Sequence, residues 1–262
     1  MNSKINGKKR VFVLGALDPE MRAIEALLSE QGEHFVAATF DGKRTIPSTA
    51  YRANGVSKPL PKETTSIIFI ECNVFGLAYN DLIDHHQPGD PGYDMPAARY
   101  MEGSSLGQLL TMLQLEPTAE QRIVCAADHC LTQAYANQCP DVSPLELAAW
   151  RADTRAAFQG ISIEAFEQRV AEAHRRLLAA ETVDVAGTSI AWVGNCDQEY
   201  GEAGARYGIP FMGSMAVGKR TNVMMFGASP DVVSAWMRDC GLQDVYGAPA
   251  RGYAGGYVNP PL

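Results

Sequence analysis

The sequence predicts an α/β protein with a mainly parallel sheet, flanking helices and, towards the C-terminal end, a smaller α/β lobe. Two observations favour this class. Short apolar runs typical of buried strands end repeatedly in acidic residues or histidines, and stretches with helical periodicity separate them. Because the carboxyl ends of parallel strands meet at one edge of a sheet, we expect the polar residues to converge there.

The chain opens with a strand, a loop and a helix. Residues 11–14 form a short β-branched apolar run, which predicts a buried strand. Asp18-Pro19-Glu20 follows, and apolar residues then recur at helical spacing over residues 21–31. Asp18 is the expected N-cap of this helix, and a proline is tolerated in a first helical turn.

Further strands and helices alternate along the chain. Residues 66–70 predict a strand that ends on Glu71, and a third strand begins near Leu82 and ends on Asp84-His85-His86. The apolar run at 123–127 predicts another strand, which leads to Asp128. The remaining predicted elements are helices over residues 104–115 and 231–239, a helix-rich stretch over 144–180, strands over 188–193 and 223–226, and a glycine-rich loop over 247–260.

The composition is that of an ordinary globular protein, with 46% hydrophobic and 20% charged residues in a chain of 262. This length suffices for two modest domains, each with its own core. The net charge of -8 argues against binding to duplex nucleic acid through a broad basic surface. The six cysteines lack the spacing of a disulfide framework, so we expect free thiols.

The chain contains no run of the roughly 20 apolar residues that a membrane-spanning helix needs. The apolar run after the basic start at residues 1–10 is too short, and too soon followed by acidic residues, for a signal peptide. We therefore expect a cytoplasmic protein without a membrane partner.

Asp84, His85 and His86 stand at the end of a predicted strand and directly before the loop at residues 87–92. A carboxylate and two imidazoles placed there can converge on a metal ion or a phosphoryl group. The alternative is a cluster on a surface loop, whose histidines only titrate near neutrality.

The ordered set Asp18-Pro19-Glu20, Glu71, Asp84-His85-His86 and Asp128 resembles the motifs of the DHH phosphoesterases, which hydrolyse phosphoanhydride and phosphodiester bonds. In that family the motifs supply ligands to two divalent cations, usually manganese, in a DHH-like lobe of parallel sheet, and a smaller lobe closes over the substrate. The resemblance covers about the first 140 residues well and the remainder more weakly. It implies a metal-binding domain over residues 1–145, a helical connector over 146–185 and a substrate-binding lobe over 186–262.

The resemblance implies specific roles for these residues. The implied metal ligands are Asp18, Glu20, Glu71, His85 and Asp128. Glu71 would bridge two metals, His86 would face the phosphoryl group, and Asp84 would orient the imidazoles. Oxygen and nitrogen ligands without thiolates suit one or two Mn²⁺ or Mg²⁺ ions better than a closed zinc site.

The sequence departs from the family pattern at three positions. Leu14 stands where the opening motif has a histidine, and Glu20 and Glu71 stand where it has aspartates. Leucine offers no ligand atom, and glutamate reaches one methylene further than aspartate. A catalytically degenerate protein that binds a nucleotide or a metal without hydrolysis is therefore the alternative to a hydrolase.

Substrate-binding residues are expected in two places. The glycine-rich segment near the C-terminus faintly resembles a substrate loop of the family but lacks its histidine; there Gly255 and Gly256 can cradle substrate and Arg251 can pair with phosphate, with a plain turn-rich terminus as the alternative. Ser104 and Ser105, at a predicted helix N-terminus, can offer backbone donors to an anion or simply cap the helix. Lys219-Arg220 is a further candidate clamp, with a solvated surface pair as its alternative.

Two other interpretations start from residues of the same sequence. Cys125, His129, Cys130 and Cys139 suggest a structural zinc site, although their spacing departs from familiar ligand pairs. A dinucleotide-cofactor enzyme would need a glycine-rich fingerprint after the first strand, where Gly15 stands alone. The expected partner is a small phosphorylated or nucleotide substrate, with pyrophosphate, short oligonucleotides, cyclic dinucleotides and nucleoside phosphates all open, as is a homodimer.

Overall fold

The computed structural model of the protein describes residues 10–196 and 198–258, without the side chain of Gln198. Most of the basic start and the last residues of the predicted C-terminal loop lie outside the described residues. The chain divides into two compact units. The first comprises the chain up to Tyr93 together with Met101–Cys125, and the second comprises Asp94–Tyr100 together with the chain from Ala126 onwards.

The first unit is built on a six-stranded, mostly parallel sheet. Its strands are β1 (Arg10–Leu14), β2 (His34–Phe40), β3 (Lys43–Arg44), β4 (Gly55–Val56), β5 (Ser66–Ile70) and β6 (Asp81–Ile83). The order is β3-β2-β1-β5-β6, with β4 also on β2. β1 is parallel to β2 and β5, and β5 is parallel to β6, whereas β3 and β4 run antiparallel to β2.

Four helices accompany these strands in the described sequence up to residue 129. They are α1 (Pro19–Glu30), α2 (Tyr100–Gly103), α3 (Ser105–Leu113) and α4 (Ala119–His129), with short 3₁₀ turns at Ala50–Arg52 and Ala97–Arg99. The helical periodicity predicted for α1 is confirmed, because Met21, Ile24 and Leu28 are fully buried. The β-branched run of β1 is likewise buried, and Val11 and Val13 pack with Phe69 of β5.

The second unit contains a six-stranded, mainly antiparallel sheet. Its strands are β7 (Glu181–Val185), β8 (Thr188–Asn195), β9 (Phe211–Val217), β10 (Arg220–Phe226), β11 (Gln243–Ala248) and β12 (Tyr253–Val258), in the order β11-β12-β10-β9-β8-β7. The accompanying elements are α5 (Leu131–Tyr135), α6 (Pro144–Gln159), α7 (Ile163–Ala179), α8 (Gln198–Tyr207), α9 (Pro230–Asp239) and a 3₁₀ turn at Pro249–Arg251. The pair β8 and β9 is parallel.

Helices cover both faces of the second sheet. Phe166 and Val170 of α7 pack in one cluster with Ala191 of β8. Trp236 of α9 packs in another cluster with Ile190, the preceding residue of β8. Since successive side chains of a strand point to opposite faces, α7 and α9 lie on opposite sides of the sheet. The helix-rich stretch predicted over residues 144–180 therefore contributes its core residues to the second sheet.

The prediction of a mixed α/β fold with a mainly parallel first sheet is confirmed, but two predicted elements are wrong. The run at 123–127 lies in helix α4, not in a strand, so Asp128 does not follow a strand. The segment expected to be a loop from residue 247 contains the end of β11 and all of β12. No helix in the described part of the chain is long and apolar enough to cross a membrane.

Candidate metal centre

The candidate site of the first unit lies where two neighbouring parallel strands end. Glu71 directly follows β5, and Asp84, His85 and His86 directly follow β6. Ile70 and Ile83 are register partners, and the Glu71 N–H donates to the carbonyl of Ile83 at 3.0 Å. The strand pairing thus brings the two polar motifs to one edge of the sheet, as their sequence positions predicted.

Four side chains of this unit present ligand atoms at short range. The ligand atoms of Glu71, His85 and His86 all lie within 4.8 Å of one another, and the same holds for Glu20, Glu71 and His85. Glu71 and His85, which belong to both groups, are buried, and Glu71 Oε1 lies 3.4 Å from His85 Nε2 without the geometry of a hydrogen bond. Carboxylate and imidazole atoms gathered in this way form a donor set for a divalent cation.

The backbone at Glu71 adopts an unusual conformation. Its φ of 51° lies in the left-handed region, which residues other than glycine rarely occupy. Gly15, just after β1, leaves room for the Glu71 backbone. The N–H of Gly15 donates to the carbonyl of Ile70 at 2.9 Å. A Cβ on Gly15 would stand 2.2 Å from the Glu71 carbonyl oxygen. Glu71 is therefore held in its position by the close approach of β1 and β5.

Asp84 supports the two histidines from a fully buried position. Its carboxylate accepts hydrogen bonds from the backbone N–H groups of His85 (2.7 Å) and His86 (3.1 Å) and from the ring Nδ1 of His86 (2.9 Å). Because a carboxylate only accepts, Nδ1 of His86 carries a proton, so Nε2 is an acceptor or ligand atom when the ring is neutral and a donor when the ring is protonated. These contacts support the orienting role expected of Asp84 at a metal site, and that role stays a prediction.

Tyr51 is a member of the site that the sequence analysis missed. Its hydroxyl donates to Asp84 at 2.9 Å. Burial, together with the nearby carboxylates of Asp84 and Glu71, raises the pKa of Tyr51 above its usual value, so the hydroxyl stays protonated and acts as a donor. Burial opposes the charge on Asp84, but the hydrogen bond and charge of His86 outweigh that effect and lower the pKa of Asp84.

Glu20 and Asp18 both accept a hydrogen bond from a backbone N–H group in the first turn of a helix. Glu20 is buried, and its Oε1 atom accepts the N–H of Leu106, in the first turn of α3, at 2.8 Å. Asp18 caps α1, as predicted, by accepting the N–H of Met21 at 2.7 Å. In the described part of the chain Asp18 belongs to neither group of converging ligand atoms, so its role as a metal ligand stays a prediction.

Ser104 and Ser105 have the contacts of a helix start. Both are fully buried, and Ser104 accepts the N–H of Gly107 while Glu20 takes that of Leu106. These contacts support the capping alternative, because two donors that an anion would use are already bonded within the protein.

The predicted substrate residues of the second unit lie in ordered structure. Gly255 and Gly256 are in β12, and a Cβ at Gly255 would stand 2.4 Å from the ring of Tyr246. Arg251, in the 3₁₀ turn, donates from Nε to the carbonyl of His129 at 2.6 Å and from Nη2 to that of Asp128 at 3.3 Å. Asp128 lies on α4 within the same unit, and its role as a ligand also stays a prediction.

The remaining candidates have structural contacts of their own. Arg220 pairs with Asp244 at 2.7 Å. Cys130 and Cys139 are buried free thiols whose sulfurs lie 3.2 Å apart, and the ring of His129 donates from Nε2 to the carbonyl of Met95 at 2.8 Å. Cys72 and Cys240 are likewise free thiols, as the sequence analysis expected.

In comparisons with known proteins, no family model matches the chain and no curated protein shows significant similarity to it. The resemblance to the DHH phosphoesterases therefore rests on the motif residues of the sequence and stays an expectation.

Proposed function

We propose that the first unit is the metal-dependent catalytic unit of a phosphoesterase. Its substrate would be a nucleotide, a short oligonucleotide or a related small phosphate compound, cleaved at a phosphodiester or phosphoanhydride bond. The observation that carries the proposal is the convergence of Glu20, Glu71, His85 and His86 at the carboxyl ends of β5 and β6.

The donor set fits a hard divalent cation. Glu71 and His85 would hold the ion from the two strand ends, and Glu20 would add a carboxylate oxygen from α1. Glu71 Oε1 is buried and has no hydrogen-bond partner in the described part of the chain, so a cation would balance its charge. Carboxylate and imidazole ligands without thiolates favour Mn²⁺ or Mg²⁺. The family resemblance adds Asp18 and Asp128 to this set.

His86 has the geometry of a residue that meets the substrate. It is the exposed member of the cluster, whereas His85 beside it is buried. The hydrogen bond to Asp84 fixes its ring and leaves Nε2 directed to other partners. When bound, the cation supplies Lewis-acid activation of a water and of a phosphoryl oxygen. His86 would stabilise the charge that develops on the phosphoryl group, and Asp84 would keep the ring in place.

A metal-binding protein without hydrolysis is the second candidate, and one observation favours it. Leu14, at the position of the family's motif histidine, ends β1 and is fully buried. The first strand therefore contributes no ligand from that position, and a single bound ion can stabilise the fold without supporting turnover.

A substrate panel separates the two candidates. The purified chain is incubated with Mn²⁺, Mg²⁺ or a chelator and with pyrophosphate, dinucleotides, cyclic dinucleotides and nucleoside phosphates. We expect chelator-sensitive release of phosphate or nucleotide, and a loss of at least about 100-fold in kcat/KM for His85→Ala. His34→Ala, an exposed histidine on β2, is the matched control and should keep full activity. Full activity of His85→Ala would refute the hydrolase, and a Mn²⁺-raised melting temperature without turnover would favour the binding protein.

A further inference from the structure

The second unit contains a pocket with an apolar wall that the metal centre does not use. Its volume is about 780 Å³, within the range of small-molecule sites. The apolar lining consists chiefly of Phe158, Met215, Met224 and Phe226. Phe158 and Met215 are exposed by 63% and 43%, although burial in a core would stabilise both. Aromatic rings and polarizable thioethers are surfaces on which a planar ring stacks well.

A glycine in the middle of a helix opens this pocket. Gly201 belongs to α8 and lines the pocket, and a Cβ placed on it would meet no atom within 4 Å. Glycine weakens a helix interior relative to alanine, and here neither its φ nor close packing requires it. The position of Gly201 on the pocket wall accounts for the glycine, because any larger side chain would project into the pocket.

Polar groups occur together on the same pocket. Gln159 accepts a hydrogen bond from Arg169 at 2.7 Å through Oε1, and its Nε2 is buried without a hydrogen-bond partner in the described part of the chain. Glu199, also on the lining, lies 3.8 Å from the Arg169 guanidinium. A carboxylate acceptor thus lies on the pocket wall close to a buried amide donor whose hydrogen-bonding capacity is unused, and the opposite charges of Glu199 and Arg169 balance each other.

We propose that this pocket binds the nucleobase of a nucleoside or nucleotide. A nucleobase is planar and uncharged, and its edge carries both acceptors for Gln159 Nε2 and donors for the Glu199 carboxylate. The faces of the ring would stack against Phe158 and the two methionines. An isolated phosphate does not fit, because the Arg169 charge is already compensated by Glu199. The inference goes beyond the proposed hydrolysis, since it concerns the second unit alone and needs no metal.

Calorimetric titration of the full chain in the presence of chelator tests this site. The probes are guanosine, adenosine, cytidine and uridine, which carry a base but no phosphate, and ribose 5-phosphate, which carries a phosphate but no base. We expect submillimolar binding of at least one nucleoside and none of ribose 5-phosphate. Gly201→Leu should weaken nucleoside binding by more than about tenfold by filling the pocket, and Gln159→Leu by about tenfold by removing the donor.

Ala171→Leu, an exposed alanine on α7 away from the pocket lining, is the matched control and should bind like the unmodified chain. Thermal unfolding of each variant checks its fold, and Gln159→Leu remains informative if Gly201→Leu does not fold. Absence of nucleoside binding, binding of ribose 5-phosphate as tight as that of nucleosides, or binding by both pocket variants as tight as that of the unmodified chain would each overturn the proposal. Because no metal is present, a missing hydrolase activity leaves this result unaffected.

Discussion

Glu71 in the first unit and Glu202 in the second are both buried, but the two glutamates have different surroundings. In the second unit, Glu202 is bonded to Arg151 at 2.8 Å and to Arg206 at 3.2 Å and accepts a hydrogen bond from Tyr135. In the first unit, Glu71 faces His85 at 3.4 Å, and no arginine or lysine of the described part of the chain pairs with it. A buried charge needs compensation. The protein supplies it for Glu202, whereas at Glu71 we infer that a bound cation does.

The largest effect on stability is expected when the charge-compensated cluster of Glu202, Arg151 and Arg206 is broken. Glu202→Gln leaves two buried or half-buried arginines without their common carboxylate and should lower the free energy of unfolding by about 3–5 kcal/mol. Urea denaturation measures this change. Glu172→Gln, which removes an exposed carboxylate paired with Arg175 and Arg176, should cost less than about 1 kcal/mol. Equal costs for the two variants would mean that the Glu202 cluster does not stabilise the fold.

A pair of glycine substitutions probes how tightly the site at Glu71 is built. Gly15→Ala places a Cβ 2.2 Å from the Glu71 carbonyl oxygen, so the backbone must shift, at a cost of about 1–3 kcal/mol and with weaker Mn²⁺ binding. Gly201→Ala, in open space on α8, should instead stabilise the chain by up to about 1 kcal/mol. Thermal unfolding with and without Mn²⁺ measures both effects. A harmless Gly15→Ala would show that the close approach of β1 to Glu71 is not needed.

Asp84→Asn tests the support of the histidines. The substitution keeps the shape of the side chain but removes the charge that holds His86 Nδ1, and it should reduce kcat/KM or Mn²⁺ affinity by about 10–100-fold, equivalent to about 1.4–2.7 kcal/mol. Asp81→Asn, an exposed aspartate at the start of β6, is the control and should change neither quantity. If both variants behave alike, Asp84 has no orienting role.

The smallest expected effect is a dependence of the free energy of unfolding on pH, which arises from Glu202 in the second unit. Burial disfavours the charged form of Glu202, but Arg151, Tyr135 and Arg206 outweigh it and lower the pKa of Glu202. A glutamate in the unfolded chain titrates at about pH 4.3. The stabilisation that ionised Glu202 contributes is therefore complete above that pH. It is lost as the pH falls through the lower pKa that Glu202 has in the folded protein. Urea denaturation at a series of pH values from about 6 downwards should show this slope, and Glu202→Gln should flatten it.

The sequence predicted the elements on which the site depends because strong local signals mark them. The apolar runs before Glu71 and Asp84 have no competing helical pattern, and the pairing of β5 with β6 then follows from parallel topology. The run at 123–127 is different, because a short apolar segment does not distinguish a strand from a buried helix, and the alanines at 126 and 127 favour the helix that forms.

Three other features depend on long-range packing and leave no clear local signal. Tyr51 contacts Asp84 from a 3₁₀ turn 33 residues earlier in the chain, and no motif surrounds it. The glycine-rich segment near the C-terminus resembles a loop, but Gly255 lies in β12, where the ring of Tyr246 occupies the space of a side chain. Strand β2 was missed because the alanines and threonine of its sequence weaken the apolar pattern, and its pairing with β1 determines it.

The most direct test of the account compares the two buried glutamates in one experiment. Melting temperatures of the unmodified chain, Glu71→Gln and Glu202→Gln are measured in chelator and in Mn²⁺. The account predicts that Mn²⁺ stabilises the unmodified chain, by about 2.7 kcal/mol at 100 times its Kd, and stabilises Glu202→Gln equally from a lower starting temperature. It predicts no Mn²⁺ effect on Glu71→Gln, which in chelator should be at least as stable as the unmodified chain. An equal Mn²⁺ shift in Glu71→Gln would contradict the assignment of a metal centre at Glu71.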